Sequence, residues 1–430
     1  MTTQPSANSR HVRVQRPQRC QIEMQFLSLD QLLDPEHRAR TVWLYVQSLD
    51  LEPLYRDFKA VEGESGRPPI APEILLGLWL LATLDSISSA RALAKRTETD
   101  IPYRWLCGGV SVNHHTLSDF RAHNREFFEQ ALTDSVTAML QQGVVTLKTI
   151  AQDGLRVRAN AGSSSFRRQP TLEEHYRQAQ EHVQRLREES ENEAQQAENT
   201  TRRAAAQQRA AAERAERVRE ALQQVRELHA QREEREKGSG EQARCSTTDP
   251  DARNMKMGDG GFRPAYNVQF ATDGAARMIV AVEVTNSGSD RGEMAPLHEK
   301  VVQTYGQTPE LQLVDSAFAT VADVTQLERA GTKVVSSIHG EERLRKLAQD
   351  PFARGRNDTD EYAAFRQRMS QSEYQELYKT RPSIAEYPNA ECRNRGCQRL
   401  LVRGLEKVKS VMLLYAMTFN LLRMMSLQVF

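Results

Sequence analysis

Three carboxylates stand in settings where an acid could do chemistry. Asp153 sits inside Thr149-Ile-Ala-Gln-Asp-Gly-Leu-Arg-Val-Arg158, where apolar and polar residues roughly alternate, the pattern of a strand that carries one acid to a sheet face. Gly154 follows at once and lets another backbone, a metal or a phosphate come close. Asp315 closes the apolar stretch Leu311-Gln-Leu-Val-Asp315, read as a strand ending on a carboxylate. Glu386 lies in the spaced set Tyr378-x2-Arg381-x4-Glu386-x6-Arg393. Pro382 and Pro388 bracket it, which puts it just before or within the first turn of a helix predicted to continue through Arg399. One acid on a strand usually caps an end or faces solvent. Three on rigid elements suit another use: carboxylate oxygens hold Mg²⁺, and two such ions roughly 3.5–4 Å apart clamp the attacking and leaving oxygens of an in-line phosphoryl transfer. The chemistry expected is on phosphodiesters. Glu386 and Arg393 are two helical turns apart and share a face, either as metal ligand beside phosphate clamp or as a surface ion pair.

These acids need elements to hold them. Residues 1–25 read as a basic arm, with Arg10, Arg13, Arg16 and Arg19 among Gln, Pro and Ser, either a loose tail or a segment that touches phosphates. Residues 26–145 are predicted all-helical. Pro72 opens a buried helix, and Ser88 to Thr97 forms a second one after a short break. Its Arg91, Lys95 and Arg96 give the pair the look of a helix-turn-helix that reads double-stranded DNA, with an ordinary helical bundle as the competing reading. A last helix is expected from Thr116 to Met139, and His114 and His115 before it read as capping or surface residues.

A sheet domain of residues 146–170 and 239–430 is interrupted at 171–238 by a stretch rich in Ala, Glu, Gln and Arg, a composition that favours helix. Tyr176, Ala179, Val183 and Leu186, then Ala215, Val218, Leu222, Val225 and Leu228, step by three and four, with a turn at Glu198-Asn-Thr-Thr201. A helical hairpin, a coiled coil with a second copy and a single solvated helix all fit this stripe. The polar loop Thr247-Thr-Asp-Pro-Asp-Ala-Arg253, with Gly258 to Gly261 behind it, either approaches a phosphate backbone or merely re-enters the sheet. Strands at 265–272 and 278–285 pair as a hairpin, and helix and strand then alternate to Ser337. The result is an α/β fold, a mixed sheet with flanking helices in ribonuclease-H-like order, whose first and fourth strands set Asp153 beside Asp315. A helix from Asp360 to Tyr378 leads to Glu386, Arg395, Arg399, Arg403 and Lys407 step by four, either as a DNA grip or on a helix interrupted at Gly396 and Gly404, and an apolar helix from Val411 to Met425 packs over the sheet.

Totals narrow the class. Lys plus Arg is 58 against 57 for Asp plus Glu, a net charge of +1, which argues against a simple basic coat for nucleic acid. Five cysteines, an odd number without a second close pair to Cys392 and Cys397, read as free thiols in a reducing compartment. The run Ile74 to Leu84 is too short to span a bilayer, so no membrane contact and a soluble, cytoplasmic protein are expected.

With these residues in place, the chain resembles the bacterial insertion-sequence transposases with an Asp-Asp-Glu triad, within the group numbered eleven-eighty-two. QDGLRVRANAG, STTDPDARNMKMGDGGFRPAYNVQFATD, LQLVDSAFA and RNRGCQRLLVRGLEKVK carry the resemblance, which extends over nearly the whole chain from Phe26. It implies a helical domain that recognises transposon ends and a catalytic ribonuclease-H-like domain. Asp153, Asp315 and Glu386 are then the metal-binding triad for two Mg²⁺ ions, with Mn²⁺ able to substitute, and Tyr378, Arg381 and Arg393 complete the last motif. Arg393 stands where the family usually has Lys, and Ser316 follows Asp315 where Gly or Ala is usual. Double-stranded DNA, as terminal repeats and target, is the implied partner, with a homo-oligomer holding paired ends. The alternative is a DNA-binding protein that keeps the fold without catalysis.

Overall fold

The computed structural model describes residues 18–20, 22, 24, 26–56, 68–193 and 201–430. Arg10, Arg13 and Arg16 of the expected arm, and Glu198 to Thr200 of the expected turn, lie outside the described residues. Eight helices open the described chain: α1 (Leu29–Leu32), α2 (Arg38–Ser48), α3 (Glu52–Tyr55), α4 (Pro72–Leu84), α5 (Ala90–Thr99), α6 (Ile101–Cys107), α7 (His114–His123) and α8 (Arg125–Gln141). Pro72 sits in the first turn of α4, and the apolar residues that follow are buried on every side, so α4 is the axis around which the others pack. The Trp79 indole N–H donates to the Leu117 carbonyl at 2.9 Å, and Arg121 lies 4.0 Å from the same ring while donating to the Ser88 carbonyl.

The single helix expected from Thr116 to Met139 is two helices. Asn124 breaks it by turning its side-chain amide back onto the Phe120 carbonyl at 2.7 Å, taking an acceptor the helix ladder would use. The helix expected from Asp360 to Tyr378 is likewise split into α14 (Asp360–Met369) and α15 (Ser372–Tyr378), where Gln375 donates to the Met369 carbonyl.

The sheet begins with β1 (Thr149–Arg158). A short ladder of β2 (Phe166–Arg167) with β3 (Cys245–Ser246) forms the neck of the insertion, whose helices α9 (Gln169–Glu193) and α10 (Thr201–Arg235) lie against each other. Leu172, Ala221, Leu222, Val225 and Cys245 close a small core there, so the apolar stripe is spent within the hairpin. Then come β4 (Arg253–Lys256), β5 (Phe262–Asp273), β6 (Ile279–Thr285), α11 (Met294–Tyr305), β7 (Leu311–Leu313), α12 (Val321–Arg329), β8 (Lys333–Val335) and α13 (Glu341–Lys346). β5 pairs antiparallel with β1 on one edge and with β4 and β6 in succession on the other, while β1–β7 and β7–β8 are parallel. Helices cover this mixed sheet, as the ribonuclease-H-like order requires.

α17 (Leu405–Leu427) follows α16 (Tyr387–Asn394) and joins the two halves. It packs on α4, α7 and α8 and also on β6, so one apolar core runs from the helical region into the sheet. The Asn420 side chain pairs with both the N–H and the carbonyl of Ile279 at 2.8 Å, fixing the start of β6. α17 is long and apolar enough to cross a membrane, yet 67% of its apolar window is buried inside the protein, the mark of a core helix. Its N-terminus is held by the Asp-Pro-Asp loop. Asp249 accepts from the Tyr266 hydroxyl at 2.6 Å and the Gly404 N–H at 3.1 Å, and Asp251 from the Leu405 N–H at 2.9 Å. Two carboxylates at a helix N-terminus complement its dipole. The loop is thus a clasp, with Asp249 and Asp251 turned inward to the fold.

Candidate active site

Parallel pairing of β1 with β7 sets the site. The last paired residues are Ala151 and Leu313, and Asp153 and Asp315 each come two residues later, just past the end of that shared ladder, Asp153 in mid-strand opposite Phe270 of β5. The strand expected to reach Asp315 stops at Leu313; Asp315 instead opens a tight turn in which its carbonyl accepts from Phe318 and its carboxylate from the Ser316 N–H. Along β1, Asp153 shares a face with Leu155 and Val157, while Gln152, Gly154 and Arg156 point the other way. What comes close at Gly154 is Asp290: a Cβ there would meet its Oδ1 at 2.5 Å. Arg156, Asn267 and Gln269 all donate to that carboxylate, a structural knot on the reverse of the sheet.

Glu386 ends a π-helical turn, Pro382–Glu386, that leads into α16. Such turns carry an extra residue and recur at functional sites. The extra residue changes which side chains align. Glu386 pairs with Arg381, whose Nη2 donates to its Oε1 at 2.8 Å, whereas Arg393 is exposed. Arg381 is buried, and its Nη1 lies 4.0 Å from Asp153, so one guanidinium stands between the first and third acids. Tyr378 places its ring 6.0 Å from that guanidinium and its hydroxyl 3.3 Å from Ser337. Asp153 also accepts from the Gly154 N–H at 3.0 Å and from the Asn389 amide at 2.9 Å. Burial pushes the Asp153 carboxyl up to about 6, against the pull of Arg381, Gly154 and Asn389, and the charge of Glu386 adds to the rise.

The acids are not drawn into one tight cluster. Among the described residues no group of three or more His, Cys, Asp or Glu is close enough to hold a metal ion. The donor set still suits a hard divalent cation, being carboxylate oxygen throughout. Around it, Nε and Nη1 of Arg381 and Oδ1 of Asn389 are buried without hydrogen-bond partners. Each such atom costs about 1–3 kcal/mol, a cost that a ligand in the site would remove.

The helical region reaches this site directly. α16 ends at Asn394 rather than running through Arg399, because Gly396 turns at φ +76°. Arg395, Arg399, Arg403 and Lys407 therefore form no common helical face. Arg395 instead donates to the Leu84 carbonyl at 2.9 Å and to Glu391 at 3.0 Å, and Ser86 donates to the Asn394 carbonyl at 3.3 Å. The turn between α4 and α5 is fastened to the helix that follows Glu386. α5 buries Leu93 and exposes Arg91, Lys95 and Arg96, of which Arg96 is committed to Asp100. His114 and His115 open α7 with their rings 4.1 Å apart, behind the capping Asn113. All five cysteines are free, with only Cys20 exposed.

Two comparisons with protein families fit this arrangement. Residues 27–123 match the family described as Transposase domain (DUF772), and residues 234–421 match the family described as Transposase DDE domain. The chain belongs to the DDE transposases of insertion sequences. No curated protein and no solved structure matches it. The DDE match begins near the end of the insertion, so it takes in Asp315 and Glu386 but leaves out β1. Strand pairing, rather than the family match, brings Asp153 beside Asp315, and Arg381 links it to Glu386. The transposase is a metal-dependent DNA-cleaving enzyme, and DNA is its partner. Asn389 was missed in the sequence because it is neutral, although its place one turn beyond Glu386 is a signal that helical spacing offers.

Proposed function

We propose that Asp153, Asp315 and Glu386 are the catalytic, metal-binding triad of this transposase, and that it cuts transposon ends and joins them to target DNA. The observation that carries this reading is the common register of Asp153 and Asp315 beyond Ala151 and Leu313, with Arg381 linking Asp153 to Glu386. Mg²⁺ bound by the three carboxylates supplies the activation of water, then of the freed 3′-hydroxyl, and the shielding of charge on the phosphate. Arg381 balances the acids and offers its unpaired N–H groups to a phosphate oxygen. Tyr378 packs beside that guanidinium and limits its swing. Arg393, exposed beyond Glu386, meets the DNA backbone in this reading. Arg91 and Lys95 hold end DNA, and the Arg395 joint sets that DNA against the catalytic helix. Two copies hold the two ends, with the insertion serving assembly.

The test is nicking of a labelled duplex carrying the element's ends, in Mg²⁺ and in Mn²⁺. Asp153→Asn, Asp315→Asn and Glu386→Gln are each expected to reduce cleavage at least a thousandfold while end binding persists. A wild-type protein that binds ends but cuts with neither metal would favour a DNA-binding protein without catalysis.

A further inference from the structure

Asn389 has no assigned part in the reaction, yet it is built into the site. It is 2% exposed, lies on α16 one turn after Glu386, and donates from Nδ2 to Asp153 Oδ2 at 2.9 Å. Its Oδ1 is buried and has no partner, which is uncommon for a carboxamide inside a protein. The α16 helix around it is pinned by the Tyr415 hydroxyl donating to the Pro388 carbonyl at 2.7 Å. A neutral amide so placed fixes one carboxylate oxygen and leaves its own oxygen beside it. Beside Asp153 it is an acceptor, whereas the unsatisfied atoms of Arg381 are donors.

We propose that Asn389 is a fourth oxygen donor for the divalent cation and the positioning residue of Asp153. Its N–H holds the carboxylate, and its carbonyl oxygen completes the donor set supplied by Asp153, Asp315 and Glu386. This inference rests on the triad reading given above. An amide adds an oxygen to the site without adding charge, and carbonyl oxygens are ordinary ligands for hard cations. It also ties β1 to the helix after Glu386 through one side chain.

The experiment is Mn²⁺ binding to the full chain, without DNA, followed by electron paramagnetic resonance of the free ion. Asn389→Leu removes both functions at similar volume and is expected to weaken binding about 10-fold to 100-fold. Asn389→Asp keeps an oxygen donor and is expected to bind Mn²⁺ more tightly than the Leu variant. Thermal melting and end-DNA binding confirm that each variant is folded. If Asp153→Asn and Glu386→Gln weaken Mn²⁺ binding but folded Asn389→Leu does not, Asn389 is packing only and the inference is overturned. If none of the three changes Mn²⁺ affinity, the triad reading itself is wrong.

Discussion

Asp153 carries opposing demands. A carboxylate taken out of water resists ionisation, and here burial raises it to about 6 from the ordinary 3.8. A gap of that size corresponds to about 3 kcal/mol. Because the folded value lies above the unfolded one, the cost is absent below pH 3.8, builds between there and about pH 6, and is complete above it. Asp153→Asn is therefore expected to melt higher than the wild type at pH 7.5 in chelator, with the difference closing toward pH 4. Equal melting temperatures at pH 7.5 would show that the site does not strain the fold. The variant that gains stability is one expected to lose cleavage, the usual relation between an active site and its scaffold. The three acids proposed for the site stood out in the sequence because strand alternation and bracketing prolines are local signals. Their partners were not. Arg393 was matched to Glu386 by 3.6-residue spacing; the π-turn ahead of Glu386 instead brings Arg381, five residues back, beside that carboxylate, so Arg381 takes the pairing.

Elements repeat this division. α4, α5 and the β5–β6 hairpin follow from periodicity, proline and turn residues, and the structure has them where those signals lie. The breaks at Asn124 and after Met369 do not, since apolar spacing continues through both and a side chain capturing a carbonyl decides them. The Asp-Pro-Asp loop could not be resolved from composition because its partners, Gly404 and Leu405, are distant in sequence. On α5 the structure separates three cations that looked alike. Arg91→Ala and Lys95→Ala are each expected to weaken end binding several-fold and to lower the slope of log affinity against log salt by about 0.9 per lost phosphate contact. Arg96→Ala should change that slope less, because Asp100 already holds its guanidinium. Anisotropy titrations at several salt concentrations decide it, and three equal slopes would remove α5 as the recognition helix.

At the level of the whole molecule, the insertion stands apart from the chemistry. It leaves and re-enters through the two-residue ladder of β2 with β3, and Gln208 on α10 donates to the Leu186 carbonyl on α9 at 2.9 Å. Joining Leu186 to Gln208 by a short Gly-Ser turn is thus geometrically permitted. The shortened protein is expected to melt within a few degrees of the wild type and to nick single ends normally, while joining of paired ends falls several-fold. Undiminished joining would deny the insertion a part in assembly.

α17 has a consequence for how the protein is made. It supplies the wall shared by α4, α7, α8 and β6, but the ribosome finishes all of those before α17 exists. Until then, two apolar surfaces wait uncovered, a condition that favours aggregation or capture by chaperones over a stable fragment. A message broken before codon 405 would therefore yield no free-standing DNA-binding piece to compete at transposon ends. Dependence on a late helix makes completed translation a condition for the fold that brings the three proposed acids together.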